Sequence, residues 1–291
     1  MAVGIADGCA SVVAGSRFAP PGHGTPAMIA LADLTSLASG SLVGFVLGLI
    51  GGGGSILAVP LLVYAVGVAS PHVAIGTGAV AVALSALWNL VGQARAGNVR
   101  WPCALVFSAF GMAGAAGGSA LGKSVDGQKL LLLFGLLMIV IAAVMLVGRK
   151  GEDLAFRPLD RTSAPTLLPR LAIGGGAVGA LSGFFGIGGG FLIVPGLMAA
   201  AHMPLVAAIG SSLVAVTAFG ATTAASYALS GLVDWKVAAL FVAGGLAGGV
   251  LGTLAARRLA TARTALTRIF AAIVALAGLY VVARGLQVIS G

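Results

Sequence analysis

Gly48-Leu-Ile-Gly-Gly-Gly-Gly-Ser-Ile-Leu-Ala-Val-Pro60 and Gly183-Phe-Phe-Gly-Ile-Gly-Gly-Gly-Phe-Leu-Ile-Val-Pro195 are two versions of one pattern. Each opens on a glycine, gathers four more within a short span and closes on Val-Pro. Glycine costs a helix interior roughly 1 kcal/mol relative to alanine. Four of them together predict a break rather than a continuous helix. Both stretches lie in runs without a charged residue, from Leu34 to Ala94 and from Leu171 to Val233.

The rest of the chain repeats in the same order. Ala74-Ile-Gly-Thr77 matches Ala208-Ile-Gly-Ser211, and Gly97-Asn-Val-Arg-Trp101 matches Gly231-Leu-Val-Asp-Trp235. The offset is 135 residues in the glycine pair and 134 in the other two. The pairs Gly114/Gly118 and Gly248/Gly252 follow at the same spacing and read as helix-packing motifs.

Composition decides the solvent. Of 291 residues, 59% are hydrophobic and 8% charged, where a soluble domain carries about 25% charged residues. Mean hydropathy is +1.12. The chain is therefore read as an all-α polytopic membrane protein, which excludes a soluble enzyme, a nucleic-acid module and a disulfide scaffold. The net charge of +9 belongs to loops between apolar runs and reads as a topology signal. Cys9 and Cys103 form no framework, and His23, His72 and His202 are too scattered for a metal cluster. No cofactor is expected.

Six full spans are expected at about 72–95, 101–122, 129–148, 205–230, 236–256 and 266–286. Residues 1–33 read as an N-terminal tail, 34–148 as a first membrane repeat, 149–170 as a cytoplasmic linker and 171–286 as a second repeat. The segments 34–66 and 171–201 are each expected to be two half-depth helices meeting at a glycine tip. Basic residues orient the halves. If the linker with Arg149, Lys150, Arg157, Arg161 and Arg170 is cytoplasmic, the loop with Arg95 and Arg100 is too, and so is that with Arg257, Arg258, Arg263 and Arg268. The Gly-x-Val-x-Trp loop then lies inside in one half and outside in the other, so the repeats are inverted. Eight full spans with parallel repeats would put the four-arginine loop outside.

Inverted repeats with broken helices place binding sites near the midplane. Helix restarts are expected at Ser55–Ile56, with Ser55 as N-cap, and at Gly190–Phe191. Free N–H groups and the positive dipole end there suit an anion. The candidate substrate-binding residues are Gly52, Gly53, Gly54, Ser55 and Ile56 at the first tip and Gly188, Gly189, Gly190 and Phe191 at the second. Thr77, Ser211, Ser212 and Asn89 join them as polar neighbours. Asn89 and Gln93 share a helix face, and Asn89 is equivalent to Thr223; interhelical hydrogen bonds and substrate contacts are both open to these groups. No catalytic or metal-binding residue is assigned. Gly117–Ser124 fits a phosphate-loop pattern and Gly174–Gly179 a dinucleotide pattern, but both lie in membrane segments and lack the strand they need.

With the paired tips, the Ala-Ile-Gly-Thr/Ser stretches and Gly-x-Val-x-Trp, the chain resembles the sulfite exporter TauE/SafE family over about 34–286. The resemblance implies a multi-pass permease of the bacterial inner (plasma) membrane for a small anion such as sulfite, sulfoacetate or another sulfonate. One departure is Ser55 against Gly190, which makes the tips unequal. The partners expected are a small anionic substrate and the lipid bilayer, with a homo-oligomer left open and nucleic acid excluded. The rival readings are a non-transporting membrane scaffold subunit and a permease for an unrelated small solute.

Overall fold

A computed structural model describes residues 26–50, 52–147, 164–186, 190–258 and 263–290. The described residues form helices and short connections. We number the main helices α1 (Pro26–Ile50), α2 (Pro71–Arg95), α3 (Trp101–Ser124), α4 (Gly127–Val147), α5 (Ala164–Phe185), α6 (Gly190–Ala201), α7 (Leu205–Leu229), α8 (Trp235–Arg258) and α9 (Arg263–Ser290). Between α1 and α2 the chain returns through a 3-10 stretch (Gly52–Leu57), one α-turn (Ala58–Pro60) and a π-turn (Leu61–Ala65).

Among the described residues, six stretches are long and apolar enough to cross a membrane: Ala32–Leu49, Pro71–Arg95, Trp101–Ser124, Pro165–Phe185, Val206–Leu229 and Trp235–Ala255. Four coincide with expected spans, and the remaining two expected spans form as α4 and α9. The half-depth reading of α1 and α5 needs correction. Both are of membrane length, and only the limbs after the glycines are short. The reason is packing. Gly40, Gly44 and Gly48 on α1 lie against the backbone of α8 at Phe241, Gly245 and Gly249. Gly175, Gly179 and Gly183 on α5 lie against α3 at Phe107, Gly111 and Ala115. Each glycine row lets two backbones touch over several turns, where Cα–H···O contacts and dispersion hold the pair. A helix so clamped continues as far as its partner does.

The glycine pairs complete the same seams. A side chain at Gly114 or Gly118 would meet the Gly176 or Ala180 carbonyl of α5, and one at Gly248 or Gly252 would meet the Ser41 or Phe45 carbonyl of α1. These contacts run in sequence order, so α1 is parallel to α8 and α5 is parallel to α3. The central pair runs the other way. Gly76 of α2 faces Leu232 beyond the end of α7, and Gly210 of α7 faces Asn98 beyond the end of α2, so α2 and α7 are antiparallel. Every one of these contacts has a counterpart at an offset of 134 or 135. A helix of one sequence half therefore packs on a helix of the other.

Two units result, α1–α2–α8 with the 52–65 limb, and α3–α5–α7 with α6. They meet along α2 and α7, where Gly220 lies against Ala83. Helices α4 and α9 pack on each other at Gly135 and Gly278. Connections 66–70, 125–126 and 230–234 lie at one end of the bundle (the first end); 96–100 and 202–204 lie at the other (the second end). At the first end Asp126 caps α4 through its Oδ1, which accepts from the Gln128 and Lys129 N–H groups at 3.0 and 3.2 Å. Asp234 caps α8 likewise, accepting from Val237 N–H at 3.1 Å.

Candidate functional site

The second glycine stretch breaks at Gly186, whose φ of +66° favours glycine. A side chain there would also collide with Ile75, in the second turn of α2. Two residues earlier, the Phe184 carbonyl lies beside Gly122 in the last turn of α3. The second break is therefore carried to the first end of the bundle, beyond mid-depth. α6 restarts at Gly190, as expected, and Gly190 is buried. Phe191 contributes its backbone to the first turn of α6, while Gly188 and Gly189 lie outside the described residues.

At the first stretch α1 stops at Ile50 and the chain resumes at Gly52 as a 3-10 helix, three residues before the expected restart. Gly52 and Gly53 open this helix. Gly54 lies so close to α1 that a Cβ would stand 2.6 Å from Leu47 N and 2.8 Å from the Val43 carbonyl oxygen. The tight 3-10 rise carries the chain out of that contact. Ser55 therefore sits inside the 3-10 helix, fully buried beside Ile56, and is not the N-cap of an α-helix. The Gly52–Leu57 stretch packs on α6 and α7, so the two return limbs touch inside the bundle.

Thr77 and Ser211 hold matching positions. Thr77 Oγ1 accepts from the Asp234 N–H at 2.9 Å, and Ser211 Oγ accepts from the Arg100 N–H at 2.9 Å. Each hydroxyl ties the start of one central helix to the loop entering α8 or α3. Ser212 donates back to the Ile209 carbonyl at 2.8 Å. Asn89 donates to the Ser85 carbonyl at 2.9 Å and accepts from Thr253 Oγ1 at 3.2 Å. Thr253 in turn faces Gly48. The candidates thus fall into two groups. Thr77 accompanies the second break at the first end, and Asn89 and Ser211 lie toward the second end with the first break. The two breaks do not converge at one midplane point.

Every buried polar side chain among the described residues is neutral. Several serines and threonines back-bond to their own helix, as Thr217 does to Leu213 and Thr222 to Ala218. Among the described residues, four buried hydroxyls have no partner: Ser108, Ser182, Thr223 and Tyr227. Sequence reading named Thr223 only as the equivalent of Asn89 and passed over the other three. Tyr227, one of three tyrosines, closes an apolar run, and a phenol there was the available signal. The phosphate-loop match is dissolved by its surroundings: Lys123 lies at the end of α3 and donates to the Ser226 carbonyl at 3.2 Å and Ser230 Oγ at 3.0 Å.

The family model for sulfite exporter TauE/SafE matches residues 36–281. A probable membrane transporter protein of Xylella fastidiosa (strain 9a5c) is 49% identical over 257 residues, covering 86% of this chain and 95% of that protein. The probable membrane transporter protein YunE of Bacillus subtilis (strain 168) is 30% identical over 239 residues, covering 76% and 88%. The archaeal MJ0441 of Methanocaldococcus jannaschii, also named a probable membrane transporter protein, is 28% identical over 187 residues, covering 59% and 65%. No solved structure matches the chain. With most of its length inside the family model and its helices of membrane-spanning length and apolarity, the chain is a multi-pass membrane transporter of the sulfite exporter TauE/SafE family.

Proposed function

We propose that the chain is a permease for a small sulfur-containing oxyanion or sulfonate, such as sulfite or sulfoacetate, working by alternating access in the bacterial inner membrane. The observation that carries the reading is the interior itself. Two glycine-broken hairpins bring their return limbs together inside a bundle whose described buried polar side chains are all neutral. A cation path normally carries intramembrane carboxylates. Here the available complement to charge is backbone N–H at the restarts, helix dipoles and hydroxyl donors, which suits an anion.

The two halves act as inverted repeats on this reading. Reciprocal contacts support it: Thr77 to Asp234 against Ser211 to Arg100, and Gly76 to Leu232 against Gly210 to Asn98. The second end collects Arg95, Arg100, Arg170 and Arg263 and faces the cytoplasm by the positive-inside rule. The moving bodies are then the two units built across the repeats, rocking along α2 and α7. Their contact is lined by small residues such as Gly76, Ala83 and Gly220, which suits sliding more than interlocked large side chains would.

Purified protein in liposomes should take up radiolabelled sulfite, sulfoacetate or taurine in a saturable way and show counterflow. Gly53→Leu should abolish uptake. Absence of uptake and counterflow for all three, with folded protein in the vesicles, overturns the reading. Undiminished uptake by Gly53→Leu would overturn the part given to the first glycine break.

A further inference from the structure

The four unpartnered hydroxyls are all in one unit. Ser108 is on α3, Ser182 on α5, and Thr223 and Tyr227 on α7, each 4% exposed or less. Their equivalents in the other unit are Val242, Leu47, Asn89 and Gln93. Val242 and Leu47 are apolar. Asn89 is bonded to Ser85 and Thr253, and Gln93 accepts from Asn98 Nδ2 at 2.8 Å. At these four places the α3–α5–α7 unit has buried hydroxyls without a partner, where the other unit has two apolar side chains and two amides that are hydrogen-bonded. A buried unpaired hydroxyl is costly to keep. Four within one unit point to something that pairs with them intermittently.

Their order along the bundle can be read from the helix contacts. Ser108 shares a face of α3 with Gly111 and Ala115, which meet α5. Ser182 precedes Gly183, which lies on Ala115. Thr223 falls between Phe219, set against Gly111, and Tyr227, whose ring lies 5.8 Å from Lys123 Nζ. Tyr227 is one helical turn beyond Thr223 on the same face. Its Cβ lies beside Gly76, the neighbour of the Ile75 that abuts the second break at Gly186. The hydroxyls therefore step from the second end toward the first, ending beside that break with an ammonium group next to the last.

We propose that the α3–α5–α7 unit is the body that carries the anion, whose oxygens accept from Ser108, Ser182, Thr223 and Tyr227, while the α1–α2–α8 unit is the sealed counterpart. The assignment rests on the permease reading above and makes the two units functionally unequal. Tyr227→Phe and Thr223→Val each remove one donor and preserve shape. Neighbouring Thr222, whose hydroxyl already back-bonds to Ala218, supplies the control.

The test is initial-rate uptake of radiolabelled sulfite and sulfoacetate by full-length protein in liposomes, with thermal unfolding of each variant in parallel. A hydrogen bond to a charged group is worth enough that its loss should raise the half-saturating concentration about tenfold or more. Tyr227→Phe and Thr223→Val should show that rise with unfolding temperatures unchanged or higher, because an unpaired buried hydroxyl has been removed. Thr223→Ser should restore wild-type saturation, and Thr222→Val should not alter it. Wild-type half-saturation in both Tyr227→Phe and Thr223→Val overturns the assignment and leaves the permease reading standing. If Thr223→Val does not fold, Tyr227→Phe and Ser182→Ala decide alone on the same criterion. No saturable uptake by the wild type overturns the permease reading and this assignment with it.

Discussion

Replacing Gly179 with alanine should loosen α5 from α3, whereas the same change three residues earlier at Gly176 should tighten the protein. Both positions lie inside one helix and both gain the same intrinsic helix term, up to about 1 kcal/mol. Their surroundings differ. A Cβ at Gly179 would stand 2.6 Å from the Gly111 Cα and 2.7 Å from its carbonyl carbon, and the carbonyl oxygen is nearer still. A Cβ at Gly176 meets nothing within 4 Å. Ordinary contact needs about 3.5 Å, so α5 and α3 must part by roughly 1 Å, enough to forfeit a quarter to a half of the dispersion at each touching pair. Overpacking of this kind costs about 1–3 kcal/mol. Because the helix term is common to both, the difference between the variants isolates the clash. At roughly 2–4 °C per kcal/mol, Gly179→Ala should unfold about 2–12 °C below Gly176→Ala. Cys103 is buried at 2% exposure and reports unfolding to a thiol-reactive dye once Cys9 is replaced by serine. Equal unfolding temperatures for the two variants would refute the claim that these glycines hold backbones in contact.

Thr77→Val and Ser211→Val should destabilise to a similar degree, each leaving one loop N–H without its acceptor at a cost of about 1–3 kcal/mol, and Thr77→Ser should recover most of it in the same unfolding assay. Gly186→Ala should lower stability more than either, since strain at φ +66° adds to the collision with Ile75; unfolding temperature and uptake should fall together. Asp33→Asn should change stability by less than about 1 kcal/mol in low or high salt, because the 2.8 Å pair from Asp33 to Lys236 joins side chains 38% and 62% exposed.

The span limits, the two breaks and the repeat offset could be read from the chain because each leaves a local mark: charge-free runs, clustered glycine, Val-Pro and Gly-x-Val-x-Trp. Partner choice leaves no such mark. Nothing in Gly40, Gly44 and Gly48 says that α8, not α2 or α3, lies against them, since any helix with a small-residue face would serve. The depth of the breaks followed from that choice, so it was misjudged. The polar candidates show a related limit. Thr77 and Ser211 sit at matching positions, which spacing can show. Whether an oxygen meets a substrate or the N–H of a loop 111 or 157 residues away in sequence depends on which helix ends share one end of the bundle.

The exchange of helices between halves also bears on how such a protein can move. If each sequence half were its own rigid body, rocking would strain only the contacts between halves. In this fold those contacts are the tightest in the molecule, the glycine seams of α1 on α8 and α5 on α3. Their backbones cannot separate by even 1 Å without the dispersion loss worked out above. Motion must therefore spare the seams and use the surface they leave, along α2 and α7. The hydrogen bonds from Asp234 to Thr77 and from Arg100 to Ser211 stay inside the units, each holding a central helix to the loop that enters α8 or α3. What crosses between the units is Gly76 of α2 on Leu232, beyond the end of α7, and Gly210 of α7 on Asn98, beyond the end of α2, one contact at each end of the bundle. A tilt that opened one end would part the contact there and leave the other closed. A Cβ at either glycine would collide with the facing backbone, so Gly76→Ala and Gly210→Ala should each bias the protein toward opening at its own end, and cysteine accessibility measured from each side of the membrane would show opposite biases. The same bias from both variants would mean that the two ends do not open in alternation along this surface.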